Sequence, residues 1–205
     1  MCAKLKKLLA IPLALVFAGA LSAHAQTSVA VSALGAFPSS TSTVGAQQNP
    51  SNQPGFMLEL RHISNPLVGY DFSYSFRGAN QAYQCANSTC PLIAPNGQFV
   101  QARAQALTLN WVVSFPIANL RPFALAGGGF ERFSPSGTQT APTGSQTKGV
   151  FDYGAGLDWT VLPHLGLRFQ YRGYVYKAPQ LATAFSSTDK FTHDAEPMIG
   201  AYFNF

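Results

Sequence analysis

The chain has 205 residues, 47% of them hydrophobic and 10% charged, with 13 Lys and Arg against 8 Asp and Glu. That length supports one domain, and a formal charge of +5 with no basic run excludes nucleic acid as the reason for the basic balance. Lys4, Lys6 and Lys7 lie in the first segment, and without them ten basic residues face eight acidic ones.

The opening "MCAKLKKLLAIPLALVFAGALSAHAQ" has a basic start, an apolar stretch from Leu8 to Leu21, and Ala23-His24-Ala25 before Gln26. This is the pattern of a secretory signal cleaved after Ala25, so residues 1–25 are expected to leave and residues 26–205 to form the mature domain. The apolar stretch is too short for a membrane anchor and no stop-transfer flank follows it. Cys2 precedes it and leaves with it. Because this is the one long apolar segment, a mature membrane protein made from the remainder has to cross with strands.

Along the mature chain the dominant signal is alternation with period two. Residues 27–37 alternate weakly. In residues 55–63, Phe56, Leu58 and Leu60 alternate with Glu59 and Arg61. In residues 69–77 the alternation is clearest: Tyr70, Phe72, Tyr74 and Phe76 against Asp71, Ser73, Ser75 and Arg77. Residues 99–113 place Gln101, Arg103 and Gln105 on one side. Leu107, Leu109 and Trp111 continue in that register, so a phase shift or bulge is expected near Ala106–Leu107. Residues 121–133 contain Gly127-Gly128-Gly129, suited to curvature or close packing. Residues 150–161 set Asp152 and Asp158 against Phe151, Tyr153 and Trp159; residues 165–176 set Arg168, Gln170 and Arg172 against Leu167, Phe169 and Tyr171. The last segment, "EPMIGAYFNF", keeps Pro197, Ile199, Ala201, Phe203 and Phe205 on one face.

The connections alternate in length. Those near residues 66, 117 and 163 are tight, whereas residues 38–54, 78–98, 134–148 and 177–194 are long and polar. A soluble sandwich has no reason to gather its long loops at one end. An eight-stranded antiparallel up-and-down transmembrane β-barrel does, with short periplasmic turns, long extracellular loops and both termini periplasmic. The aromatic face then meets lipid. The polar face then lines the lumen with Glu59, Arg61, Asp71, Arg77, Arg103, Asp152, Asp158, Arg168 and Arg172. Four acids against five arginines are near balance, as a closed lumen needs. Eight strands leave an interior that side chains fill. Facing residues of a hairpin have a constant sum of positions, about 132 and about 326 around the turns near residues 66 and 163. These sums set Arg61 opposite Asp71 and Asp158 opposite Arg168, two expected lumenal ion pairs near the periplasmic rim.

Signal, strand number, one-sided long loops and the final "YFNF" resemble the small outer-membrane barrels of the OmpA/OmpX type. The resemblance implies an outer-membrane location, contact with outer-membrane lipid and lipopolysaccharide, and reading of Phe203 and Phe205 by the barrel assembly machinery. It covers the barrel domain, and no peptidoglycan-binding domain is expected after it.

Cys85 and Cys90 are the mature cysteines; export and their spacing favour a loop disulfide over a metal site. "RHISN" (61–65) resembles the His-x-Ser-Asn motif of lipid A deacylase barrels, with His62 as base and Ser64 as nucleophile. The same residues form a Ser-Asn-Pro turn on the periplasmic side, away from the outer leaflet, and that reading is preferred. No metal and no cofactor are expected. The expectation is a monomeric, non-enzymatic envelope or surface-interaction protein with a plugged lumen; the alternatives are a narrow solute channel and, third, a lipid A-modifying hydrolase.

Overall fold

Alternating strands carry one apolar and one polar face, and neither their faces nor their edges are satisfied in lipid until the sheet closes. The computed structural model describes residues 26–43, 46–64, 67–85, 98–136, 144–181 and 190–205. They form β1 (Gln26–Pro38), β2 (Thr41–Thr43), β3 (Ala46–Pro50), β4 (Gln53–Ile63), β5 (Val68–Gly78), β6 (Gln81–Cys85), β7 (Gln98–Val100), β8 (Ala102–Ser114), β9 (Leu120–Pro135), β10 (Gln146–Leu162), β11 (Leu165–Lys177) and β12 (Phe191–Asn204). Eight of these close a barrel in the order β1-β12-β11-β10-β9-β8-β5-β4, and β1 also pairs with β4 to complete the ring. The expected signal at residues 1–25 and Cys90 of the expected Cys85–Cys90 bridge lie outside the described residues, as does Asn65.

The outward face is the aromatic one. Trp111 is 72% exposed and Phe130 66%, values that only a non-aqueous surrounding makes tolerable for rings of this size. Tyr70, Trp111, Trp159 and Phe203 stand outward near the short-turn end, where an aromatic belt meets the membrane interface. No described helix is long and apolar enough to cross a membrane.

Two features differ from the sequence expectation. The first two long connections contribute a second sheet, β2-β3-β6-β7, above the long-loop end of the barrel. Its strands are short and rich in Gln, Thr and Ser, so no apolar alternation marks them. Side chains hold them instead: Gln48 Nε2 donates to Gln81 Oε1 and to Pro179 O (3.2 Å), and Tyr83 Oη donates to Gln81 Oε1 (2.6 Å).

The second difference is in β8, which alternates without a break from Ala102 to Ser114 and pairs in continuous register with β5 and β9. No shift occurs at Ala106–Leu107. The chain leaves β7 for β8 at Gln101 with the facing unchanged, Gln101 exposed between buried Val100 and Ala102. Arg103 is therefore corrected from the lumen to the outer wall. Ala102, Ala104 and Ala106 take the interior, and Arg103 sits at the long-loop rim, where an outward charge clears the hydrocarbon.

At the opposite end β8 and β9 are joined by a tight turn in which Ile117 and Leu120 exchange backbone hydrogen bonds (2.7 and 2.9 Å). Ala118 has φ 51°, alone among the described non-glycine residues in having a positive φ. That region normally favours glycine.

Candidate functional site

The lumen is built from one phase of each strand, the even residues in β1, β8, β10, β11 and β12 and the odd residues in β4, β5 and β9. Seven acidic side chains (Glu59, Asp71, Glu131, Asp152, Asp158, Asp194 and Glu196) and four arginines (Arg61, Arg77, Arg168 and Arg172) are buried there. The expected near-balance is thus corrected to an acidic excess: Arg103 leaves the set, and Glu131, Asp194 and Glu196 join it. Glu196 occupies the polar register of the last strand, a signal the sequence offers directly. Asp194 extends β12 into a segment that reads as loop. Glu131 was masked because β9 turns Phe123, Leu125 and Phe133 inward alongside it, so polarity does not mark its inner face.

The arginines need length and room. Three have a glycine as Cα partner on a neighbouring strand: Arg77 faces Gly55, Arg168 faces Gly200 and Arg172 faces Gly154. Gly127 serves a related purpose. It is the partner of both Asn110 and Asp152, and with no side chain between them Asn110 Nδ2 on β8 reaches across β9 to Asp152 Oδ2 on β10 (2.7 Å). A Cβ at Gly127 would collide with Leu109 O and Asn110 Oδ1.

Toward the short turns, three arginines share four carboxylates. Arg172 is the centre: Nη2 donates to Glu59 Oε1 (2.6 Å) and Asp71 Oδ1 (2.7 Å), and Nη1 to Asp152 Oδ2 and Ser73 Oγ (both 2.9 Å). Arg61 Nε donates to Asp71 Oδ2 (3.1 Å) and Nη1 to Asp158 Oδ2 (3.3 Å). Arg168 holds Asp158 with two nitrogens, at 2.7 and 2.9 Å. Arg61 and Asp71 are Cα partners across β4 and β5, as are Asp158 and Arg168 across β10 and β11. Gln170 Nε2 donates to Glu59 Oε2 (2.9 Å), and the Arg61 guanidinium lies 4.0 Å over the Phe123 ring.

Toward the long loops the arrangement is sparser. Among the described arginines, Arg77 alone meets Glu131 (2.6 Å), Asp194 (2.6 Å) and Glu196 (2.8 Å). Above it Phe133, Tyr174, Tyr176, Val150 and Leu181 pack with Tyr83 and Val100 of the second sheet, and this apolar layer caps the bore. Buried charges of both signs and the cap together plug the lumen.

The His62 stretch does not assemble a hydrolytic site. His62 is in the outward phase of β4 while Asp71 points inward. His62 Nδ1 lies 3.0 Å from Thr27 Oγ1, and its ring packs on Tyr70. Among the described residues no group of three or more His, Cys, Asp or Glu is placed to hold a metal ion.

The family model for the outer membrane protein beta-barrel domain matches residues 9–195. The chain belongs to this family, which places it in the outer membrane. Three solved barrels share the fold. OprG from Pseudomonas aeruginosa is 10% identical, with a TM-score of 0.63 over 89% of this chain and 96% of its own. Neisserial surface protein A is 15% identical, with a TM-score of 0.58 over 87% and 97%. Ail, the attachment invasion locus protein of Yersinia pestis, solved with the heparin analogue sucrose octasulfate, is 16% identical, with a TM-score of 0.55 over 89% and 99%. At these identities the likeness is one of fold. No curated protein matches the chain.

Proposed function

We propose that this protein is a monomeric surface-interaction barrel whose working part is the loop end, the transmembrane part being a sealed support. The observation that carries this reading is the contrast between a plugged lumen and a second sheet raised above it. A channel needs an open bore, whereas a platform needs a rigid one. Ail, an attachment protein with the same fold, accords with this, though the shared fold alone does not transfer its ligand.

The lumenal pairs Arg61–Asp71 and Asp158–Arg168, with Glu59, Asp152 and Arg172 above them, act in this reading as the floor of the plug, and Arg77 acts nearer the cap. Residues 1–25 direct export and are removed; the basic start, the apolar stretch and Ala23-His24-Ala25 support that boundary. Phe203 and Phe205, both half-exposed on the outer wall, serve as the contacts of the assembly machinery. Lipopolysaccharide contacts the outer wall.

The test has two arms. The purified barrel in a planar bilayer should show no steady conductance, and a sustained ohmic current would sink the sealed-support reading. Cells displaying the barrel should adhere to host-type matrix, and replacing residues 41–50 with a Gly-Ser linker should remove adhesion while leaving barrel insertion intact. Undiminished adhesion after that replacement would show that the second sheet is not the working part.

A further inference from the structure

The outer wall sorts its charge by sign and by height. Among the described residues every Asp and Glu side chain is buried in the lumen, and the outward phases of the eight barrel strands carry none. Arg103, Arg132 and Lys177 are the outward Lys and Arg residues of those strands, and all of them stand at the long-loop end. The outward strand positions at the short-turn end carry neither Lys nor Arg.

Arg103 and Arg132 are also neighbours. Arg132 has Gln105 as its Cα partner on β8, and Arg103 has Ser134 as its partner on β9, so the two arginines sit diagonally across one strand pair on one face. Side chains in that relation start roughly 7 Å apart, within reach of each other for residues of this length. Like charges so placed repel, and no described carboxylate is on their side of the wall to separate them. Residues 86–97 and 137–143, in the connections before β8 and after β9, contain no Asp or Glu either. The remaining acidic residue, Asp189, belongs to the connection between β11 and β12. The pair is thus open to an anion from outside the chain.

The level at which the pair stands says which anion. One outward step toward the short turns, Leu107 and Phe130 face each other, 46% and 66% exposed. The partner of Phe130 on β10 is Gly149, where an added Cβ would meet nothing within 4 Å, so the wall is recessed beside the ring. Cationic heads directly above an apolar, recessed wall fit a phosphate that is tied to acyl chains. A free phosphate would use the upper half of this surface and leave the lower half idle.

We propose that Arg103 and Arg132 form a docking site for a phosphate on the acylated sugar head of lipopolysaccharide, with an acyl chain running down past Phe130 and Gly149. The guanidiniums donate to the phosphate oxygens, and the shared anion removes their mutual repulsion. This rests on the proposed contact of lipopolysaccharide with the outer wall and gives that contact a place.

The test is native mass spectrometry of the purified barrel in micelles, titrated with bisphosphorylated lipid A, with lipid A stripped of its phosphates, and with phosphatidylglycerol. Saturable binding of the bisphosphorylated form is expected, about tenfold tighter than that of the other two. Arg103→Gln and Arg132→Gln should each weaken it about fivefold, and the double variant should bind the phosphorylated and stripped forms alike. Arg121→Gln, which removes the same charge at the short-turn end, should leave binding unchanged. Bisphosphorylated lipid A should also raise the unfolding temperature of the wild type and of Arg121→Gln, and do so less for the double variant. Binding that needs the phosphates but survives the double variant would keep the general contact and overturn this site. Equal binding of phosphatidylglycerol would overturn the assignment to the sugar-based lipid. Absence of lipid A binding to the wild type would overturn both the site and the contact it rests on, and would leave the sealed-support reading standing.

Discussion

The two ends of the lumen solve one problem in opposite ways. Toward the short turns, Arg61, Arg168 and Arg172 divide Glu59, Asp71, Asp152 and Asp158 among them, and most members have more than one partner of opposite charge. Toward the loops, Arg77 is the sole described arginine in contact with Glu131, Asp194 and Glu196, under an aromatic cap. The first arrangement is redundant and the second hangs on one residue. Burial makes both costly to disturb, because the attraction between buried charges offsets their lost hydration only while the partners stay in place.

The largest expected effect follows from that asymmetry. Arg77→Leu leaves three carboxylates facing one another without a counter-charge, and should lower barrel stability by about 5 kcal/mol, the upper end of the range for a broken buried pair. Equilibrium unfolding in urea, read by heat-modifiable gel migration, checks it. Adding Glu131→Gln and Glu196→Gln should recover part of the loss. A loss no larger than that of the Arg168 variant would show that the loop-side cluster is not dependent on one arginine.

Arg168→Ala should cost about 3 kcal/mol, less than Arg77→Leu because Arg61 still holds Asp158 and Arg172 still holds Glu59. Asp158→Ala on top should restore part of it. The coupling between the two residues is expected at about 1–2 kcal/mol from a double-mutant cycle. Strict additivity of the two single losses would mean that the paired geometry is not what stabilises the floor.

Outside the lumen the two ends should differ by depth in the bilayer and by nothing else. Leu109, 58% exposed on β8, faces hydrocarbon, so Leu109→Arg should cost about 2–3 kcal/mol. Arg103→Leu, at the rim of the same strand, should change stability by less than about 1 kcal/mol. Equal penalties for the two would place Arg103 within the apolar band.

How much of this was legible in the sequence varies along the barrel. Strands with large outward rings and charged inward residues, such as β5 and β10, declare both their existence and their facing. The hairpin arithmetic reaches individual partners, because a tight turn leaves little freedom of register: Arg61 and Asp71, and Asp158 and Arg168, are Cα partners in the structure. The signal fails where a face is small or mixed. On β8 alanines hold the interior and an arginine stands outward at the rim, so reading charge as inward misplaces Arg103. On β9 phenylalanines and glycines share the interior, and Glu131 is hidden among them. The loop sheet is invisible for a different reason. Gln48, Gln81 and Tyr83 are joined by hydrogen bonds that depend on which loops meet, and no local period encodes that.

The smallest expected effect is a gain, and it belongs to the turn at the periplasmic end. Ala118 holds φ 51° in a two-residue connection whose flanking residues, Ile117 and Leu120, are locked by two backbone hydrogen bonds. An L-residue in that region suffers a clash of its Cβ that glycine escapes, worth roughly 1–2 kcal/mol. Ala118→Gly removes the clash but gives the unfolded chain more freedom to lose, which returns about 0.5–1 kcal/mol. The net expectation is a gain of about 0.5–1 kcal/mol, seen as a higher urea midpoint at unchanged slope. Because the turn is at the opposite end of the barrel from Arg77, the same gain should appear in the Arg77→Leu background, as additivity of distant sites requires. A gain that vanishes there would mean that the two ends of the plug are not energetically separate. A loss of stability in the single variant would mean that the Ala118 methyl group stabilises the turn by more than the clash costs.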